Sequence, residues 1–422
     1  MIPALLQRLS GRLRNDNGKT FLTLRENLHY RKYFVGGLFL STGFWLQNTA
    51  QAWLVLELTH SAKMMGLLAS CEFGPFALFG LFGGLVVDAH DRRMVLLCTH
   101  SILMACATIL AVSTFTGAVN IPIIFTVAAI RSFVSCVSFT ARRAFLIELV
   151  GKKNVSNAMG LGAAGENLAR TIGPASAGVI ISIMGVGACF AANAASFLGM
   201  IWVVYQSRER SPLPSDLTVE KLAPLSRSLA GLRYILGSPR LFRFAAALFL
   251  ITFIPMSFGT TLPIFASNTL GRDAAIYGML VSCLSLGSIG GSLFVASREQ
   301  LSPRWIFVCV GGLGVAELLL VLERSPLHAG ATLLLAGFCM TSFIVSINSI
   351  VFSETKDGLH GRVGAVTSYI IFAVGPLGSS ISGWLSGIGG TDLAFEVGGC
   401  MAIAVAAAGI VGSRKLAQLR DT

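Results

Sequence analysis

Few charged side chains lie inside the apolar runs of this 422-residue sequence, and Glu72, Arg131, Glu166 and Arg170 mark where chemistry is to be sought. A charge in the middle of a membrane helix costs about 2.5–3.5 kcal/mol on insertion scales, so each needs a partner or a wet cavity. Glu72 follows Cys71, whose carbonyl loses its helical donor to Pro75 four positions on. Apolar surroundings favour the neutral form of a carboxyl group, which suits a proton carrier. Glu72 is therefore the leading candidate for proton coupling, and the plain alternative is a hydrogen bond to a neighbouring helix. Arg131 stands in line with Ser135 and Ser138 at helical steps. A guanidinium is a permanent cation that can hold an anion or a carboxylate and cannot release a proton, so Glu72 is its expected partner. Glu166 and Arg170 are four apart with the acid first, the favoured order for an intrahelical pair, and Pro174 frees the carbonyl of Arg170. All four are candidates for proton coupling. Glu317, near the end of its apolar run, is expected to reach water by snorkelling.

Neutral polar residues in the same runs would line a substrate cavity: Gln47, Asn48 and Gln51; Ser135 and Ser138; Thr252, Ser257 and Thr260; Ser342, Ser346 and Asn348. Phe44, Trp45, Trp53 and Phe253 would add stacking surface for a large aromatic substrate. Each of these could equally be packing between helices. No Gly-x-x-x-x-Gly-Lys-Ser/Thr loop, His-Glu-x-x-His or Gly-x-Ser-x-Gly occurs. An enzyme, an ATP-driven pump within this chain and a bound cofactor or metal are therefore not expected. The nine cysteines are dispersed through apolar runs with no Cys-x-x-Cys pair, which reads as core packing rather than a disulfide framework or a zinc site.

The elements that must position these residues are membrane helices. With 54% hydrophobic and 12% charged residues and a mean hydropathy of +0.73, the chain belongs with polytopic membrane proteins. Twelve apolar runs are long enough to span: 33–56, 64–87, 94–115, 121–139, 157–184, 187–205, 240–265, 274–296, 305–322, 330–352, 363–387 and 393–411. The expected fold is all-α, twelve transmembrane helices in two pseudo-symmetric six-helix bundles, 33–205 and 240–413. They are flanked by a basic tail (1–32), a polar linker (206–239) and a short tail (414–422). The N-terminal tail could form a short interfacial helix or lie disordered near anionic lipid. No cleavable signal peptide is evident.

The formal charge of +12 does not point to nucleic acid, because the basic residues sit in alternate loops. Of 32 Lys and Arg residues only Lys63, Arg272 and Arg324 fall in the opposite set of loops, which puts both termini in the cytoplasm. The halves echo each other. Gly173-Pro174 has a counterpart in Gly375-Pro376, and the spacing of Arg131, Ser135, Ser138 and Arg142 recurs in Ser342, Ser346, Ser349 and Ser353.

Gly84, Asp88, Arg92 and Arg93, between the second and third runs, resemble the Gly-x-x-x-Asp-x-x-x-Arg-Arg hinge of the major facilitator superfamily, with Ala89 where a basic residue is common and Asp91 where glycine is common. Further patches occur in family order: Trp45 to Val55, Ala141 to Val150, Asn167 to Pro174, Leu262 to Ala266, and Gly361-Arg-Val363 before Gly375-Pro-Leu-Gly378. Together they are similar to the enterobactin-exporter and macrolide-efflux branch, the transmembrane secretion effectors. Residues 169–178 also resemble the antiporter motif, with Gly173, Pro174 and Gly178 in place and alanine at 169 and 177. The resemblance implies a monomeric secondary exporter of the bacterial inner membrane that works by alternating access. It also implies inward proton movement as the drive and siderophores or hydrophobic drugs as the substrates. It makes the fourth helix, with Arg131, a cavity wall, and Glu166 with Arg170 a mainly structural pair at a kink and gate. Asp88 and its neighbours become a latch, and Gly173, Pro174, Gly178, Gly375 and Pro376 hinge points. Importing or equilibrating a small anion held by Arg131, or acting as a sensor or scaffold without transport, are the alternatives.

Overall fold

The computed structural model describes residues 22–207, 224–298, 302–355 and 359–418, and some helical side chains, those of Gly84, Asp88 and Arg362 among them, lie outside that description. The readings of the first 21 residues, of the middle of the linker and of the Asp88 carboxylate as a latch therefore fall outside the described residues. Among the described residues the regular structure is entirely helical: α1 (Leu22–Glu26), α2 (Leu28–Thr59), α3 (Ala62–Ala89), α4 (Arg92–Phe115), α5 (Ile121–Met184), α6 (Val186–Gln206), α7 (Pro224–Gly237), α8 (Pro239–Phe253), α9 (Phe258–Ile264), α10 (Ala274–Ala296), α11 (Pro303–Leu322), α12 (Pro326–Glu354) and α13 (His360–Gln418).

Short connections carry the start signals. Asn27, Asp91, Asn120, Ser238, Asp273 and Ser302 each accept a backbone N–H in the first turn of the helix that follows, and proline opens α8, α11 and α12. Gly151, at φ 72° and ψ 161°, breaks α5 between the fourth and fifth apolar runs, and Gly390, at φ 71°, breaks α13 between the last two. A side chain is strained at such angles, so glycine is what permits these corners. The seventh run, expected as one helix, is divided. Pro255 lacks the N–H that would continue α8, the chain turns over 254–257, and α9 leads into a π-helical turn at Phe265–Thr269. The linker also holds structure: α7 occupies its second half.

Eight segments among the described residues are long and apolar enough to cross a membrane, fewer than the twelve runs expected. Helix α2 is not among them, since Gln47, Asn48, Thr49 and Gln51 interrupt its apolar run. Those residues face inward, whereas large apolar side chains such as Phe39, Ile183 and Leu322 cover the outside. Lipid is the solvent that suits such a surface.

The N-terminal half (α1–α6) meets the C-terminal half (α7–α13) mainly where α3 packs on α13 and α5 on α10. The crossing points are backbone against glycine. A Cβ on Gly178 would fall 2.9 Å from the Ala274 carbonyl, one on Gly66 2.9 Å from that of Ser379, and one on Gly383 2.7 Å from that of Ala62. Ser282 donates to Thr171 O at 3.0 Å, Ser70 and Ser380 share a hydrogen bond of 2.6 Å, and Ser380 donates to Gly66 O at 3.2 Å. These contacts run from the end holding the 60–61 and 270–273 connections to about mid-helix. None of them lies on the basic side of Ser70 and Ser282.

Candidate functional site

Glu72 and Arg131 pair across the N-terminal half, Nη2 to Oε1 at 2.8 Å, with side chains only 12% and 8% exposed. The pair is the centre of a polar chain that crosses four helices. Arg131 also donates to Asn48 Oδ1 at 2.6 Å and lies 5.3 Å over the Phe44 ring. Gln51 donates to the same Glu72 oxygen at 3.2 Å, Gln47 approaches Gln51 at 3.5 Å, and Asn193 of α6 donates to Gln47 Oε1. Burial makes such a network demanding, because every polar atom left without a partner costs about 1–3 kcal/mol. Gln47 and Gln51 have no exposed surface at all. From the other half Tyr277 stacks on Trp53, centroids 6.0 Å apart.

The second pair of intramembrane charges is arranged differently from the expected intrahelical pair. Glu166 accepts from Ser41 Oγ at 2.6 Å and from Trp45 Nε1 at 2.8 Å, while the Arg170 guanidinium stacks on the Trp45 ring at 4.7 Å. Trp45 thus stands between them. The cause is one turn on, where Gly173 lets α5 approach α2 so closely that a Cβ would meet Trp45 Cβ at 2.6 Å. That approach brings the indole to both side chains, and either contact outcompetes an exposed i,i+4 pair.

Of the other residues singled out in the sequence, Ser138 and Thr252 are buried and Ser135 is half-buried. Ser342 donates to Gly291 O inside the C-terminal half, and Ser346 is buried with no hydrogen-bond partner among the described residues, so neither meets open space in this state. Asn348 is exposed and lines a cavity of about 230 Å³ with Thr355 and Thr367 between α12 and α13. Arg92 pairs with Glu148 of α5, and Arg93 donates to the carbonyls of Val204 and Tyr205 at 3.1 and 2.8 Å, capping α6. Both arginines fasten the N-terminal half to itself. Gly178 and Pro174 lie on the interface with α10, Pro376 O accepts from Ser70 at 3.4 Å, and a Cβ on Gly375 would meet nothing within 4 Å among the described residues.

Two residues were misjudged or missed. Glu317 does not snorkel: it is 3% exposed, and Oε2 has no partner. Gly314, Gly398 and Gly399 allow α11 and α13 to approach until the route to water is shut. Asn193 carried no signal beyond being one amide in an apolar run, and its role depends on which helix α6 packs against.

A family model described as transmembrane secretion effector matches residues 19–420. The staphyloferrin A transporter of Staphylococcus aureus is 26% identical over 268 residues, 62% of this chain and 66% of that protein. The multidrug efflux pump Tap of Mycolicibacterium fortuitum is 26% identical over 352 residues, 81% of this chain and 85% of its own length. The enterobactin exporter EntS of Shigella flexneri is 21% identical over 348 residues, 81% of each. Among solved structures, a bacterial homolog of the human lysosomal transporter Spinster, inward-facing and occupied, superposes with a TM-score of 0.71 at 11% identity, covering 91% of this chain and 97% of that one. The nucleoside transporter NupG gives 0.68 at 14%, covering 91% and 98%. A helical chain with an apolar exterior, a buried acid–guanidinium network and a family match over nearly its whole length is a multi-pass membrane transporter, and it belongs to the transmembrane secretion effector family of the major facilitators.

Proposed function

We propose that this chain is a proton-coupled antiporter of twelve crossings, with both termini cytoplasmic, that exports a siderophore-like or hydrophobic drug-like molecule by alternating access. The observation that carries the proposal is the buried Glu72–Arg131 pair, because a charge pair in apolar surroundings is costly to keep and invites a moving ion. In this reading the seal at the 60–61 and 270–273 end is the outer gate, and substrate enters from the basic side. A proton arriving at Glu72 cancels its charge-assisted bonds to Arg131 and Gln51. Arg131 is then held only from α2, by Asn48 and the Phe44 ring, and α3 is free to shift against α2 and α5. Gln47, Gln51, Ser135, Ser138, Thr252, Ser342, Ser346 and Asn348 would contact substrate once the halves move apart and uncover the buried members of the set. Relatives that carry staphyloferrin A, enterobactin or several drugs supply the substrate class.

Everted vesicles test the proposal. A proton gradient should drive uptake of a substrate, and Glu72→Gln should abolish that uptake while leaving substrate binding within about twofold. Uptake by Glu72→Gln at the rate of the unaltered protein would sink the coupling role. The alternative of an anion held by Arg131 is disfavoured because Glu72 already neutralises that guanidinium.

A further inference from the structure

A groove of about 690 Å³ runs along the outside of the N-terminal half between α2 and α6, away from the polar network and from the interface between halves. Small residues border it, Gly36 and Gly43 on α2 and Ala195 and Gly199 on α6. Its walls are apolar and open to the bilayer, with Phe39 65% exposed. From Leu28 to Leu46 it follows one helix for 19 residues, on the order of 27 Å at about 1.5 Å per residue step. That exceeds the roughly 15 Å hydrocarbon half of one leaflet.

One end of the groove is cationic. Arg31 and Lys32 line it there, with no acidic partner for either among the described residues. Lys32 lies 5.6 Å over the Trp202 ring and donates to Gln206 Oε1 at 3.2 Å, which uses one of its three protons and keeps the ammonium at the mouth. Trp202, 55% exposed, and neighbouring Tyr205 mark the level of the headgroups. An apolar slot longer than a leaflet's acyl region, with two cations where a phosphate would lie, has the shape and charge of one ligand class.

We propose that the groove binds an anionic phospholipid of the leaflet at the basic end, its acyl chain along Val35, Phe39 and Val203 and its phosphate on Arg31 and Lys32. The proposal does not depend on export or on proton coupling, and its failure would leave both standing. The test is native mass spectrometry of the delipidated full chain in detergent, titrated with phosphatidylglycerol or with phosphatidylcholine. Two basic residues near a phosphate correspond to about thirtyfold tighter binding of the first phosphatidylglycerol. The double variant Arg31→Gln/Lys32→Gln should bring the ratio close to one by weakening phosphatidylglycerol far more than zwitterionic phosphatidylcholine. Gly199→Leu, which projects into space with no atom within 4 Å of its Cβ, should weaken both lipids at unchanged thermal stability, and Ala195→Phe serves if that variant fails to fold. Equal affinities in the unaltered chain, a preference that survives in the double variant, or a dimer that lipid does not displace would each overturn the proposal.

Discussion

Glu72 carries the most consequence of any single residue, because one of its oxygens receives both a guanidinium and an amide proton. Removing one partner from a buried pair strands the other, at about 3–5 kcal/mol. Arg131→Met should therefore destabilise the protein by about that amount in detergent melting, and Glu72→Met/Arg131→Met should recover most of the loss. A double variant as unstable as the sum of the single ones would show that the two charges are not coupled. This pairing was legible in the sequence, since few intramembrane charges exist and each must find an opposite. The Trp45 bridge between Glu166 and Arg170 was not, because it depends on how closely Gly173 lets two helices approach. Glu317 was misread for the same reason: its depth along α11 was clear, but the closeness of α13 was not.

At the scale of elements, proline and glycine decide where helices bend and where they touch. Most helix starts could be read from a cap residue followed by an apolar run, and the observed bounds of α10 coincide with the expected 274–296. The division of the seventh run was missed although Pro255 and Pro263 were in view, because an unbroken apolar run hides a turn that its neighbours stabilise. Helix α7 was missed because its surroundings are polar and basic. The hinge after α3 ties α4 to α5 and α6 through Arg92–Glu148 and the Arg93 bonds. Glu148→Gln should mimic Arg92→Gln, each slowing transport several-fold with substrate affinity retained, and an unchanged rate in both would remove the hinge from the transport cycle. Asp88→Asn should shift the balance of inward- and outward-open states measured by spin-label distances if the latch reading holds.

At the scale of the whole molecule, the seal between halves is built, among the described residues, from glycines against carbonyls and serine hydrogen bonds. Gly383→Leu, whose side chain would press on Ala62 and Gly66, should hold that end apart and leave cysteines placed there reactive to a membrane-impermeant maleimide in whole cells. Conversely, Ser70→Cys/Ser380→Cys, whose parent hydroxyls are 2.6 Å apart, should cross-link under oxidation and stop transport until a reductant is added.

The polar chain from Arg131 to Asn193 belongs wholly to the first repeat, and the second repeat offers hydroxyls at the matching steps. On the proposed mechanism the two halves would contribute unequally, with the proton site in the first half and substrate contacts from both. Substrate contacts supplied by the second half could then change without touching the proton site, in keeping with the similarity of this chain to both a multidrug pump and siderophore transporters. A hybrid that keeps this N-terminal half and takes its C-terminal half from such a relative should change its cargo while consuming the same number of protons per cycle.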